Sequence, residues 1–393
     1  MNAELLHIDI QEFITASLQE DVAKLAFQKN PFPQVAWVEI LNQIAAKQKA
    51  KSKLPTWFQT ANILYPSKVS VEQTSSEKTA AYKASLVSGA RLIDLSGGFG
   101  VDDYYFAQKM QKVIHCEINN ELSAVVAHNS QQLELNNLQC LNGDSTAILK
   151  ELNQSFDWIY IDPSRRNDSK GKVFMLKDCS PNVPELLDFY WKYSANILIK
   201  TAPILDLSAG LNELHQVKAI HIVALDNEVK ELLWVLEKDY TGPTTLHTCN
   251  LKKDEAETFS FIAHDLKEPV PYDLPQQYLY EPNAALMKSG GFDEVAVAFK
   301  VAKLHPHSHL YTSAVLHPFP GRSFKIEAQF EYTKKEMKAQ LEGKKANITT
   351  RNFPDTVETI RKKWKIKEGG EWYCFFTTTS SNEKIVLLCT KIN

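Results

Sequence analysis

The sequence predicts an α/β protein. Its core is a seven-stranded, mostly parallel sheet ending in an antiparallel hairpin at one edge, with a helical region before it and small α+β modules after it. Three observations carry this. Short apolar runs recur from Arg91 onward at intervals of roughly 20 to 30 residues, the pitch of βαβ units. No sustained β-like alternation precedes Arg91. The chain has 393 residues, 44% hydrophobic and 23% charged, enough to bury a sizeable core across several domains. In order, residues 1–85 read as helical, 86–268 as the sheet domain, 269–322 as a small α+β module and 323–393 as a basic α+β module.

In the first region Val22, Leu25 and Ala26, then Trp37, Ile40, Leu41 and Ile44, lie at helical spacing. Asn30-Pro-Phe-Pro33 separates them, and Lys47 to Lys53 reads as a charged connector. Five strand candidates follow: 91–94, 112–117, 139–142, 156–162 and 195–200. Runs so short and apolar suit a sheet covered on both faces. Residues 217–223 and 231–237 are too close for a crossover helix and predict the edge hairpin. Strands are expected at 244–249 and 258–263, and an extended connection at 269–275. Further on, 283–288 reads as helix and 295–299 is ambiguous. Helices at 333–342 and 354–363 precede strands 372–378 and 384–389, joined by a Ser-Ser-Asn-Glu turn.

Six scattered cysteines with no C-x-x-C disfavour a disulfide framework, a zinc ribbon and an iron–sulfur cluster. The first residues have no basic, apolar leader pattern, and no stretch reaches 18 apolar residues. A soluble, cytoplasmic chain with no membrane partner is expected; oligomeric state is not legible. The net charge of −3 hides an asymmetry. Residues 334–393 hold 13 Lys+Arg and 7 Asp+Glu, a net of +6, which leaves −9 on the rest. One end therefore suits an anionic partner, or is a solvated lysine-rich face.

Candidate chemistry gathers at strand ends. The first strand runs into Asp94-Leu-Ser96-Gly97-Gly98-Phe-Gly100-Val-Asp-Asp103. Glycines after a buried strand permit a sharp turn and let a ligand approach bare backbone. A dinucleotide turn wants a small residue three places after its second glycine; here that place holds Asp103, whose charge would oppose a pyrophosphate. S-adenosylmethionine instead brings a sulfonium and an ammonium, which Asp94 suits. Glu117 ends the second strand, where a carboxylate can take both ribose hydroxyls. After the third, Asp144 of Gly143-Asp144-Ser145 can accept from an adenine amine, or simply cap a helix. Ser96, Ile118 and Ser145 stand beside these as further cofactor contacts.

The fourth strand ends in Asp162-Pro163-Ser-Arg165-Arg166. Asp-Pro makes a rigid turn that aims the carboxylate and carbonyls into the crevice, where they can hold an amine lone pair toward an electrophilic methyl. Asp162, Pro163 and Arg165 are the catalytic candidates. Arg165 and Arg166 suit a phosphate or carboxylate of the substrate, or pair with Asp168, Asp178 or Glu185.

In this order the motifs resemble those of class I S-adenosylmethionine-dependent methyltransferases, over about residues 86–240. The resemblance implies a Rossmann-like methyltransferase sheet with the cofactor on Asp94–Gly100, Glu117 and Asp144, and catalysis at Asp162-Pro163. More narrowly, Val69 to Ala84 and Lys345 to Phe353 resemble a bacterial group with a ferredoxin-like module and a C-terminal THUMP-like domain. That group implies RNA (tRNA or rRNA) as substrate, against a protein or small molecule, or a non-catalytic cofactor-binding role. Asp-Pro-Ser-Arg-Arg lacks the aromatic of the base-amine signature, which puts an exocyclic-amine target in doubt.

Asp-Pro-x-Arg is also similar to the motif of RNA uridine C5-methyltransferases, which need a nucleophilic cysteine. Cys179 is the candidate, but it lies before the fifth strand instead of after it, and buried filler is the plainer role. His305-Pro-His307-Ser-His309 lacks a carboxylate or cysteine to complete a metal set, so no metal is expected. Residues 73–83 suggest a lid, with Ser76, Thr79 or Lys83 on the cofactor. Lys344, Lys345, Arg351, Lys362 and Lys363 are the RNA-binding candidates, with Phe353 and Trp364 interleaved for base stacking.

Overall fold

The computed structural model describes residues 2–165, 175–263 and 265–392. Two compact units emerge: residues 1–218 with 232–242, and residues 219–231 with 243–393.

The first unit opens with helices, among them Ile8–Ala16, Trp37–Lys53, Lys68–Gln73 and Glu77–Ser85. Ile10, Ile14, Leu25, Ile40 and Ile44 are buried together, as their spacing requires. Residues 47–53, expected as a connector, continue the helix from Trp37, because Ala46 and Ala50 keep a buried face through the lysines.

Parallel strands follow: β1 (Arg91–Asp94), β2 (Lys112–Glu117), β3 (Leu138–Asn142) and β4 (Trp158–Ile161). The two-residue strands β5 (Ser164–Arg165) and β6 (Cys179–Ser180) form a separate antiparallel ladder. Then come β7 (Asn196–Thr201), β8 (Val217–Leu225) and β9 (Glu228–Glu237). β1 lies between β2 and β4, β3 flanks β2, and β7 flanks β4, all parallel. Leu232 to Glu237 of β9 then pairs antiparallel with β7. Every side chain of β4 is buried, which its unbroken apolar run anticipates.

In the second unit β8 does not end a sheet. Ala219 to Leu225 pair in parallel with β10 (Thr245–Leu251), which pairs antiparallel with β11 (Ala256–Ile262). The edge position expected for the hairpin is therefore corrected: β10 and β11 extend the sheet beyond β8, whose residues Ala219 to Ala224 form a continuous buried run.

Further along, β12 (Tyr278–Pro282), β13 (Ala302–Lys303), β14 (Tyr311–Ser313), β15 (Gly321–Glu331), β16 (Asn347–Arg351), β17 (Trp372–Thr378) and β18 (Lys384–Lys391) form one sheet in the order β13-β14-β12-β15-β18-β17-β16. Phe292–Ala298, left ambiguous by pattern, is a helix. The six cysteines are free, and no described helix is long and apolar enough to cross a membrane.

Candidate active site

The turn after β1 is fixed by Asp94. Its Oδ1 accepts from the backbone N–H groups of Ser96 (2.7 Å) and Gly97 (3.1 Å) and from the Ser96 hydroxyl (2.7 Å). The Ser96 oxygen in turn accepts from the Asp162 N–H at 2.7 Å, tying the ends of β1 and β4 together. Gly97, Gly98 and Gly100 have φ of +41°, +66° and +74°. A Cβ on Gly97 would lie 2.5 Å from the Cys116 carbonyl oxygen, so the turn can press against β2 only with glycine there.

Glu117 locks the other side. Oε2 accepts from the Gly98 N–H (2.9 Å) and Oε1 from the Asn119 N–H (2.7 Å). A carboxylate offers about four acceptor positions, so two are committed to the scaffold and two remain for a ligand. Asp144 caps the helix Ser145–Leu152, its Oδ1 accepting from the Ala147 N–H at 2.9 Å.

These residues surround a cleft of about 570 Å³, lined by Ser96, Glu117, Ile118, Asp144, Ser145 and Asp162, with a facing wall of Ser164, Ser180 to Asn182 and Glu185. That wall was missed in the sequence, since two-residue strands leave no periodic signal. Ile118 is 75% exposed at this cleft, an apolar surface suited to a flat apolar ring. Glu117 and Asp144 thus share a hollow, as expected. Asp94 does not line it; 1% exposed, it stands behind the turn and shapes it.

Lys200, at the end of β7, forms an ion pair with Asp162 Oδ2. It too was overlooked, although a lysine closing an apolar strand beside Asp-Pro was a readable sign. Cys179 is fully buried, directs its Sγ toward the Met175 carbonyl oxygen at 3.7 Å, and is not part of the cleft wall, which suits the filler role. Arg165 pairs through its backbone with Cys179. Arg166 lies outside the described residues.

Behind the cleft is a buried polar network. Asp103 and His115 are both fully buried, with Oδ2 and Nδ1 2.7 Å apart. Burial, then the Asp103 charge, pushes the Asp94 carboxyl well above the usual carboxylate range; burial and Asp102 do the same for Asp103, and burial lowers His115. Asp103 therefore points away from any ligand at the turn, which removes the charge argument made from it against a pyrophosphate. Lys83, also fully buried, bonds Ser75 (3.0 Å) and pairs with Asp102 (3.2 Å), whose other oxygen accepts from Tyr160 (2.7 Å). Ser76 and Thr79 form a capping box. None of the three lid candidates lines the cleft; they brace the helix beside it.

In the second unit Lys344, Lys345, Lys362 and Lys363 are exposed, and Arg351 is half-buried. Of the expected stacking aromatics, Trp364 is turned inward, 6% exposed with its indole N–H on Tyr332 (3.2 Å), while Phe353 is half-buried and packs edge-on against Tyr332 and Phe376. His305 accepts from the His307 N–H and from Asn352, each at 3.0 Å, and His309 stacks on Phe292 at 3.6 Å, so these histidines serve the fold.

Residues 278–320 match a ferredoxin-like domain family, and residues 321–391 match a THUMP domain-like family. Over 100% of both chains, the structure overlays on that of a candidate methyltransferase from Porphyromonas gingivalis W83, with 29% identity and a TM-score of 0.88. More local overlays include an rRNA methylase from Streptococcus thermophilus (13% identity, 41% of this chain and 94% of that one, TM-score 0.30). Another is a Streptococcus mutans protein solved with SAH (13% identity, 41% and 96%, TM-score 0.30). No curated protein matches the sequence. The chain thus shares its fold, over its whole length, with a methyltransferase candidate, and its C-terminal residues match ferredoxin-like and THUMP-like families.

Proposed function

We propose that this protein transfers a methyl group from S-adenosylmethionine to RNA in the cleft at Asp162. The observation that carries the reading is the shared cleft: Ser96, Glu117, Asp144 and Asp162, from the ends of four neighbouring strands, line one hollow. The donor set fits the cofactor. Glu117 keeps two acceptor positions for vicinal hydroxyls, Ile118 offers an apolar face, and Asp144, which lines the cleft beside its helix cap, would accept from a purine amine.

When bound, the cofactor supplies a methyl on a sulfonium, open to direct displacement. The chain's own part is alignment, which accounts for most of the acceleration in such a displacement. Ser96 fixes the Asp162 backbone against the glycine turn. Lys200 holds the Asp162 side chain and balances its charge. The carboxylate and the backbone carbonyls of the Asp162-Pro163 turn would then orient the substrate's nucleophilic atom by accepting a hydrogen bond from it, its proton leaving to solvent after transfer. Arg165 is the candidate to meet an RNA phosphate, and the exposed lysines of the C-terminal unit would bind the strand. A reducing, cytoplasmic setting suits such a reaction.

The test is incubation with methyl-labelled cofactor and bulk RNA, then with protein lysate. Label in RNA supports the reading. Label in protein alone, or binding with no transfer, refutes it. Asp162→Asn should keep cofactor affinity while transfer falls about 100-fold or more, the scale of losing a positioned acceptor.

The basic surface has its own readout. With about four phosphates contacted, log affinity for RNA should fall against log salt with a slope of roughly −3 to −4. A slope near zero in a filter-binding series would make these lysines a solvated face.

A further inference from the structure

A second hollow lies in the C-terminal unit, about 450 Å³ in volume and lined by Asn227, Glu281, Met287, Lys288, Arg322 and Arg351 among others. Glu281 and Arg322 sit directly opposite each other on β12 and β15. The register is close because Gly321 precedes Arg322: a Cβ there would meet the Glu281 carbonyl oxygen at 2.1 Å. Glu281 is 4% exposed. Its Oε2 accepts from Arg322 Nε (2.8 Å) and the neighbouring Nη2, and its Oε1 accepts from Arg351 Nη2 (2.9 Å). The Arg322 guanidinium also lies 5.4 Å above the Phe324 ring, which holds its plane.

Charge and hydrogen-bond accounting do not close on the protein alone. Two arginines share one carboxylate, so this trio carries a net positive charge at the pocket wall. An arginine carries five N–H donors; Glu281 takes two from Arg322 and one from Arg351. The Arg351 Nε–H is buried and has no hydrogen-bond partner among the described residues. Buried donors of this kind are rare without a ligand or ion to meet them. A carboxylate clamped behind two guanidinium groups, with their remaining donors beside an open hollow, is a preorganised oxyanion receptor.

We infer that this hollow is a phosphate-binding site, separate from the exposed lysines, which grips one phosphate of a nucleic-acid strand between Arg322 and Arg351. The RNA reading above enters only as the source of that phosphate. The site itself is tested without cofactor or methyl transfer.

The probe is inorganic phosphate, titrated at constant ionic strength into the full-length protein while thermal unfolding is followed. Phosphate should raise Tm, where chloride of equal ionic strength does not. Arg322→Gln should weaken phosphate binding by about tenfold or more, the worth of one charged hydrogen bond. Because that change leaves Glu281 short of a partner and could unfold the module, Met287→Glu serves as a second variant. It adds a negative charge to the wall while leaving the arginine clamp intact, and it should abolish the phosphate effect with an unchanged circular dichroism spectrum. Competition between 5′-phosphorylated and 5′-hydroxyl RNA oligonucleotides then assigns the source. Preference for the first marks a chain end, and equal competition by both marks an internal phosphodiester. The inference is overturned if phosphate leaves Tm unchanged, if both variants respond as the parent does, or if neither oligonucleotide competes. A failure here with RNA still methylated would leave the proposed function standing.

Discussion

Glu117→Ala is expected to weaken S-adenosylmethionine binding by about 1.5 to 3 kcal/mol, roughly 10- to 150-fold, as read by titration calorimetry. The residue is 9% exposed, and both of its oxygens already hold backbone N–H groups at the turns after β1 and β2. Truncation therefore removes the ligand's acceptor and also frees the Gly98 and Asn119 amides that shape the cleft. Glu117→Gln retains one carbonyl oxygen and should fall between the two. The folded state is checked by thermal unfolding, so that loss of affinity is not confused with loss of structure. Unchanged affinity in both variants would detach the cofactor from this cleft.

The second large effect concerns Gly97. Alanine there carries a side chain at φ +41° and pushes its Cβ to 2.5 Å from the Cys116 carbonyl oxygen and 2.8 Å from the His115 ring. The left-handed penalty of about 1 to 2 kcal/mol and the displaced backbone together give an expected loss of about 2 to 4 kcal/mol in denaturant unfolding. His115 cannot yield easily, since it is fully buried and held by Asp103. An unfolding midpoint equal to the parent's would mean the turn is looser than its contacts indicate.

Much of this architecture was legible because local pattern and tertiary setting agreed. The limits of β1 and β2 followed from apolar runs ending in Asp94 and Glu117, and β17 from seven residues between turn signals. Legibility failed where side-chain direction mattered. Asp103 lies in the first turn of a helix whose buried face points back into the fold, so its carboxylate meets His115 instead of the glycine turn. Trp364 follows three basic residues yet belongs to the helix's inner face with Ile360, because four residues separate positions on one stripe. Arg322, Glu281 and Arg351 come together only through strand register, which no local reading supplies.

The strand β15 is shared: it pairs with β12 inside the ferredoxin-like match and with β18 inside the THUMP-like match. Cutting the gene at residue 321 would strip a whole row of amide partners from that strand and leave a naked border prone to self-association. The two matched segments thus fold as a single sheet, and neither keeps a complete flank without the other.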